Sequence, residues 1–251
     1  MNQSNNKMIS LFSGAGGLDI GFHEVGFETA VCVERDPACC RTLRVNMPDT
    51  PVIEGDINKV TTDAILAVGH LKPLEAALVV GGPPCQSFSL AGKRMGLNDP
   101  RGRLVLEFIR IVREALPVGF VMENVRGLAN WEHGRALEAI IEEATQPIEF
   151  KGRTYRYEVK YQVLNAASYG APQFRERIFI VGNRIHVPFE FPAPTHGDVK
   201  QTARTDLFGH EIQPYTTVWD AIGKLPRATP PSETALRVAG TIAERITKHG
   251  Y

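Results

Sequence analysis

The sequence predicts an α/β protein built on a doubly wound, mostly parallel sheet. Two observations carry that expectation. Short apolar runs alternate with helix-patterned stretches from the start of the chain, as in successive βα units. Several of those runs end abruptly in glycine or an acidic residue, as strands do where a ligand meets the carboxyl edge of an open sheet. With 251 residues, 43% hydrophobic and 22% charged, the chain is long and apolar enough for a sizeable core.

The elements follow in order. MISLF (8–12) is the first strand, and a glycine-rich turn leads into a helix reaching about residue 25. ETAVCV (28–33) is the second strand, followed by a helix that Pro37 can begin. PVIEGD (51–56), AALVV (76–80) and GFVMEN (119–124) are further strands. RLVLEFIRIVREAL (103–116) carries apolar residues at 104, 105, 108, 109, 112 and 116, a helical stripe. YRYEVKYQVLNA (155–166) and RIFIVG (177–182) are strand-like. The pattern changes after about residue 184: PFEFPAPTHGD is proline-rich, and only DAIGKL and ETALRVAGTIAERI look helical. The division is therefore a main domain over 1–184 and an appended connector over 185–251. No internal repeat is present.

The 28 basic and 28 acidic residues cancel, which argues against a protein that binds nucleic acid with its whole surface. A local basic patch remains. Lys93, Arg94, Arg101 and Arg103 against Asp99 give residues 85–103 a net charge of 4 − 1 = +3. Cys32, Cys39, Cys40 and Cys85 are spaced for neither a disulfide framework nor zinc, so no metal is expected. No apolar stretch approaches the roughly 18 residues of a membrane span, and the polar start does not read as a signal peptide. A reduced, cytoplasmic setting follows.

Residues 81–89, GGPPCQSFS, interrupt the fourth strand. Pro83 and Pro84 each fix φ and lack an N–H, so the ladder stops and Cys85 is presented on a stiff turn. From these residues alone a buried structural cysteine and a nucleophile are equally good readings. The first loop, FSGAGGLDIG (12–21), has glycines at 14, 16, 17 and 21, which is not the GxGxxG of dinucleotide binders. Glu34 closes the second strand, where a carboxylate accepts from ribose hydroxyls. Asp56 closes the third and can reach an adenine amino group. These features fit an adenosine-containing cofactor without a pyrophosphate.

Taken in order, FSGAGGLDIG, VERD (33–36), GDI (55–57), GGPPCQSFS, MENV (122–125) and QFRER (173–177) resemble the cytosine carbon-5 DNA methyltransferases of bacterial restriction–modification systems. The resemblance covers roughly residues 8–182. It implies a Rossmann-like S-adenosylmethionine-dependent fold and a target cytosine flipped out of duplex DNA. It also implies that Cys85 adds to carbon 6 and that Glu123 partners ring nitrogen N3 and the amino group. Arg175 and Arg177 fall at the target nucleotide. By position in the family motifs, the methyl donor lies along Phe12, Gly14, Gly16, Leu18, Glu34, Asp56, Ile57, Pro84 and Leu104. Arg35 stands where the family often has a large apolar residue. Residues 85–103, with Gly92, Gly96 and Gly102, read as a lid. A transfer-RNA cytosine methyltransferase and a catalytically silent DNA-binding paralogue are the alternatives. The family's target-recognition domain and closing motif are not found after Gly182. The chain therefore reads as the catalytic part of a split or longer enzyme, completed by a C-terminal polypeptide.

Overall fold

The computed structural model describes residues 6–84, 103–198, 212–226 and 232–249. The loop expected to act as a lid, and Cys85 itself, lie outside the described residues. The first half repeats a βα unit: β1 (Lys7–Leu11), α1 (Gly17–His23), β2 (Glu28–Glu34), α2 (Pro37–Asn46), β3 (Val52–Glu54), α3 (Thr62–Val68) and β4 (Leu78–Gly81). Next come α4 (Arg103–Ala115), β5 (Gly119–Val125), α5 (Gly127–Asn130), α6 (Arg135–Thr145) and a hairpin of β6 (Ile148–Phe150) and β7 (Arg153–Tyr155). β8 (Glu158–Asn165) and β9 (Glu176–Asn183) finish the main sheet. The tail adds β10 (His196–Gly197), β11 (Gln213–Pro214), α7 (Val218–Ile222) and α8 (Glu233–His249).

The sheet has seven strands in the order β3-β2-β1-β4-β5-β9-β8. The first five pair in parallel, and β9 pairs antiparallel with both β5 and β8, so β9 alone runs against the rest. The chain steps outward from β1 to β3 and then returns to place β4 on the other side of β1. The order therefore reverses between β1 and β4, which is where such a sheet opens a crevice at its carboxyl edge.

Elementary chemistry explains the local structure. Pro37 opens α2 at its first turn, and the Asp36 side chain accepts from the amides of Ala38 and Cys39. Those amide bonds hold the Asp36 carboxyl below its ordinary range. The stripe on α4 is the core-facing side: Val105, Phe108, Ile109, Ile111, Val112 and Ala115 are all fully buried. Phe108 meets Phe120 edge-on, and Phe120 meets Tyr157, whose hydroxyl donates to the carbonyl of Pro117 at 2.7 Å. At the end of β4, a Cβ on Gly81 would lie 2.2 Å from the carbonyl oxygen of Leu11, so only glycine lets β4 meet β1 there.

The expected strands and the main helices are present. β3 is shorter than expected: it stops at Glu54, and Asp56 instead caps a single 3-10 turn, Ile57–Lys59. The sequence reading left α3, α6 and the β6–β7 hairpin unplaced. Past residue 184 the chain keeps contact with the 166–170 turn as far as His196. The amide of Thr195 donates to Ser168, the Tyr169 hydroxyl donates to Pro192, and the His196 ring sits over Gly170.

Candidate active site

Two cavities open at the carboxyl edge, on either side of the point where the strand order reverses. The first, about 240 Å³, is lined by Phe12, Val33, Glu34, Arg35, Gly55, Asp56, Ile57, Gly82, Pro84 and Leu104. Its walls are apolar and its acids sit at strand ends, which suits a nucleoside with a flat base and a hydroxylated sugar. Glu34 is fixed by three backbone amides: Oε2 accepts from Gly14 at 2.8 Å, and Oε1 accepts from Arg35 at 2.7 Å and Asp36 at 2.8 Å. The same carboxylate thus closes β2 and pins the glycine loop. Asp56 Oδ1 accepts from the backbone and side-chain amides of Asn58. Those bonds, the backbone one foremost, hold the Asp56 carboxyl below its ordinary range. Arg35 lines this cavity, so a guanidinium stands where the resemblance leads one to expect an apolar side chain.

The second cavity, about 560 Å³, is lined by Phe12, Ser13, Gly17, Leu18, Gly82, Glu123, Leu164, Ala166, Tyr169, Arg175, Arg177 and Phe179. Its construction depends on the reversed strand. β5 delivers Glu123 to the rim with its chain running outward, and β9 begins at that rim, so Val125 pairs with Arg177 and Glu123 with Phe179. Arg177 Nε then reaches Glu123 Oε1 at 2.8 Å, and both side chains are about three-quarters buried (24% and 22% exposed). Of the two arginines, Arg177 is the one that pairs with Glu123. Arg175 lines the cavity from the loop before β9, and its amide donates to Asn165 Oδ1 at 3.1 Å. Asn165 also accepts from Ala167, so one side chain staples both ends of the 166–175 loop.

Phe12 and Gly82 line both cavities. Phe12 adopts a left-handed φ of 52°, rare for an aromatic residue, at the turn out of β1. A Cβ on Gly82 would stand 3.0 Å from Glu123 Oε2, so the strand end passes close beside that carboxylate. Asn124, buried, donates to the carbonyl of Pro83 at 3.1 Å and accepts from Val125. It thereby holds the Pro83–Pro84 segment that ends the described part of this loop.

Of the expected site residues, the first cavity gathers Phe12, Glu34, Asp56, Ile57, Pro84 and Leu104. The second gathers Phe12, Leu18, Glu123, Arg175 and Arg177. Gly14 and Gly16 line neither; they shape the loop, Gly14 through its bond to Glu34 and Gly16 as the left-handed residue before α1. Sequence reasoning missed Leu164, Ala166, Tyr169 and Phe179. Leu164 and Ala166 lie in the strand-like stretch 155–166 and Phe179 in RIFIVG (177–182), but nothing in those stretches marks them as site residues. The three described cysteines lie away from both cavities. Burial pushes the Cys32 thiol up to about 12, and desolvation raises Cys39 and Cys40 as well.

The profile of the C-5 cytosine-specific DNA methylases matches residues 6–238. The chain belongs to this family. It is 66% identical over 245 residues to the type II methyltransferase M.AquIA of Picosynechococcus, covering 98% of this chain and 99% of that protein. It is 39% identical to the type II methyltransferase M1.HphI of Haemophilus parahaemolyticus, covering 87% of this chain but only 52% of the relative. Among solved structures, a candidate DNA modification methyltransferase from an E. coli prophage superposes with a TM-score of 0.65 at 26% identity. That match covers 88% of this chain and 56% of the prophage protein. The S. pombe Dnmt2 methyltransferase shares the fold, with a TM-score of 0.61 at 16% identity. Among the described residues, no helix is long and apolar enough to cross a membrane.

Proposed function

We propose that this chain is the catalytic part of an enzyme that transfers a methyl group from S-adenosylmethionine to carbon 5 of cytosine in a specific duplex DNA sequence. The observation that carries the reading is one rim with two cavities that share Phe12 and Gly82. One suits a nucleoside, the other is built around Glu123 and Arg177, and the backbone leaves their shared Gly82 for Pro84, the residue that precedes Cys85 in sequence. Bound S-adenosylmethionine supplies the methyl group as an electrophilic carbon. Glu34 would accept from its sugar hydroxyls, and Asp56 from its adenine amino group. Phe12, Ile57, Pro84 and Leu104 would exclude water around the base.

Carbon 5 of cytosine is a poor nucleophile. Addition of the Cys85 thiolate to carbon 6 pushes an electron pair into the ring and makes carbon 5 nucleophilic. Glu123 accepts from the exocyclic amino group and, when protonated, donates to N3. Arg177 orients that carboxyl, and Arg175 meets the flipped nucleotide. Methyl transfer to carbon 5 would leave S-adenosylhomocysteine as the product, and loss of the carbon 5 proton to water then returns an electron pair that expels the thiolate. Cys32 and Cys40 are buried, Cys39 lies on α2, and none of the three lines either cavity, which supports Cys85 as the nucleophile.

Target recognition and completion of the cofactor pocket are assigned to a second polypeptide, with residues 185–251 as the connector toward it. Some relatives extend well beyond the matched region, as M1.HphI does, whereas M.AquIA is matched over 99% of its length. On the expected seam, Ile20 and Val25 beside α1 are 55% and 71% exposed. The test is labelled methyl transfer to duplex DNA, with sequencing for 5-methylcytosine, using the chain alone and mixed with its complementary C-terminal polypeptide. Transfer is expected only in the mixture, and Cys85→Ser should abolish it while S-adenosylmethionine still binds. Full activity of the chain alone would overturn the split, whereas no transfer in either arm would overturn the enzyme assignment.

A further inference from the structure

The turn that carries Asp56 and Ile57 into the first cavity is only three residues long, Ile57–Lys59. A single 3-10 turn has poor internal hydrogen bonding, so its position depends on what holds it from behind. Behind it lies a polar groove lined by Asn58, Lys59, Val60, Thr62, Arg110 and Glu114 among others. Arg110, on the side of α4 away from the core stripe, reaches across this groove. Its Nη2 donates to the carbonyls of Val60 at 3.1 Å and Ile57 at 3.5 Å. Nη1 donates to Glu114 at 2.9 Å and to Thr62 Oγ1 at 3.2 Å, and Nε donates to Glu107 at 2.7 Å. Thr62 in turn donates to Glu114. Five contacts match the five N–H donors of a guanidinium, a planar arrangement no lysine reproduces.

We infer that Arg110 is a positioning residue for the methyl donor. It locks the 56–60 turn to α4, the helix whose first turn places Leu104 in the same cavity. Arg110 lines neither rim cavity, so its effect on the cofactor must pass through Asp56 and Ile57. This rests on the reading of the first cavity as the S-adenosylmethionine site.

A matched control exists on the same helix. Arg113 donates to the carbonyls of Glu143 and Gln146 at the end of α6, at 2.9 and 3.0 Å, and is remote from the turn. Both substitutions remove a guanidinium that ties α4 to a neighbour through two carbonyls. Arg110→Ala is expected to weaken S-adenosylmethionine binding by about tenfold, as loss of carbonyl bonds to a charged donor implies. Arg110→Lys should fail to restore it. Arg113→Ala should lower the unfolding temperature comparably but leave the affinity unchanged. In the reconstituted enzyme, Arg110→Ala should raise KM for S-adenosylmethionine while leaving kcat at saturation near that of the wild type. Calorimetry on the chain and steady-state kinetics give both readouts. Equal affinities for Arg110→Ala and Arg113→Ala, or full rescue by lysine, would overturn the inference. A wild-type chain that binds no S-adenosylmethionine, alone or reconstituted, would instead remove the reading of the cavity, and the inference with it.

Discussion

The two cavities share a wall but are held by different means. Around the first cavity, in the parallel half of the sheet, the polar groups are fixed by backbone. Glu34 is caught by three amides, and Asp56 by the turn it caps. On the other side, where β9 reverses, the central contact is one side chain against another, Arg177 to Glu123. A carboxylate held by three amides cannot move without unmaking its loop. A carboxylate held by one guanidinium can exchange partners when a base arrives. The first arrangement suits a cofactor bound the same way each cycle. The second suits a substrate whose charge changes during reaction.

The largest expected effect tests that division directly. Arg177→Ala should cut methyl transfer by roughly 10²–10³-fold in the reconstituted enzyme, the range for losing one preorganised donor at a site of developing charge. S-adenosylmethionine affinity, measured by calorimetry, should be unchanged; a parallel fall would mean the two cavities are not independent. Next comes Glu34→Ala. Hydrogen bonds to a charged group contribute about 1.5–3 kcal/mol, so cofactor affinity should drop about ten- to a hundredfold. Unchanged affinity in the same titration would remove Glu34 from the site.

Phe12→Ala sharpens the comparison from the shared wall. An aromatic contact contributes about 0.5–1.5 kcal/mol beyond its buried area, so S-adenosylmethionine binding should weaken several-fold. Because Phe12 also lines the second cavity, the rate at saturating cofactor should fall as well, which kinetics would separate from the binding loss. The smallest effect belongs to the tail. Leu236→Asp on α8, at a residue 58% exposed, should shift the thermal stability of the chain alone by no more than about 0.5 kcal/mol. A large loss by calorimetric melting would show that α8 packs on the body after all.

Much of the site was legible because each motif is local. The glycine turn, Glu34, the GGPPC stop and Glu123 each sit at the end of an apolar run, and an apolar run that stops abruptly is visible in one dimension. Asp56 was placed at a strand end, and the structure puts it two residues further on as the cap of a turn, where one oxygen already serves Asn58. Leu164, Ala166 and Tyr169 were not legible. They come from β8, an edge strand with half-exposed alternation, and from the turn after it, so no strong apolar pattern marks them.

By itself the sequence determined the order of the main-sheet strands, the stripe by which α4 enters the core, and the set of motifs at the carboxyl rim. Those are properties of short stretches, set by side-chain period and by where glycine and proline interrupt it. Only the tertiary structure decided that Arg177, and not Arg175, faces Glu123, because that pairing follows from the register of one reversed strand. The contrast between α4 and α8 has the same cause. Both carry an amphipathic pattern, yet Phe108 and Ile109 on α4 are fully buried while Leu236 and Ile242 on α8 are more than half exposed. Periodicity says which face of a helix is apolar. Whether that face is covered depends on a surface elsewhere in space, which no local pattern encodes.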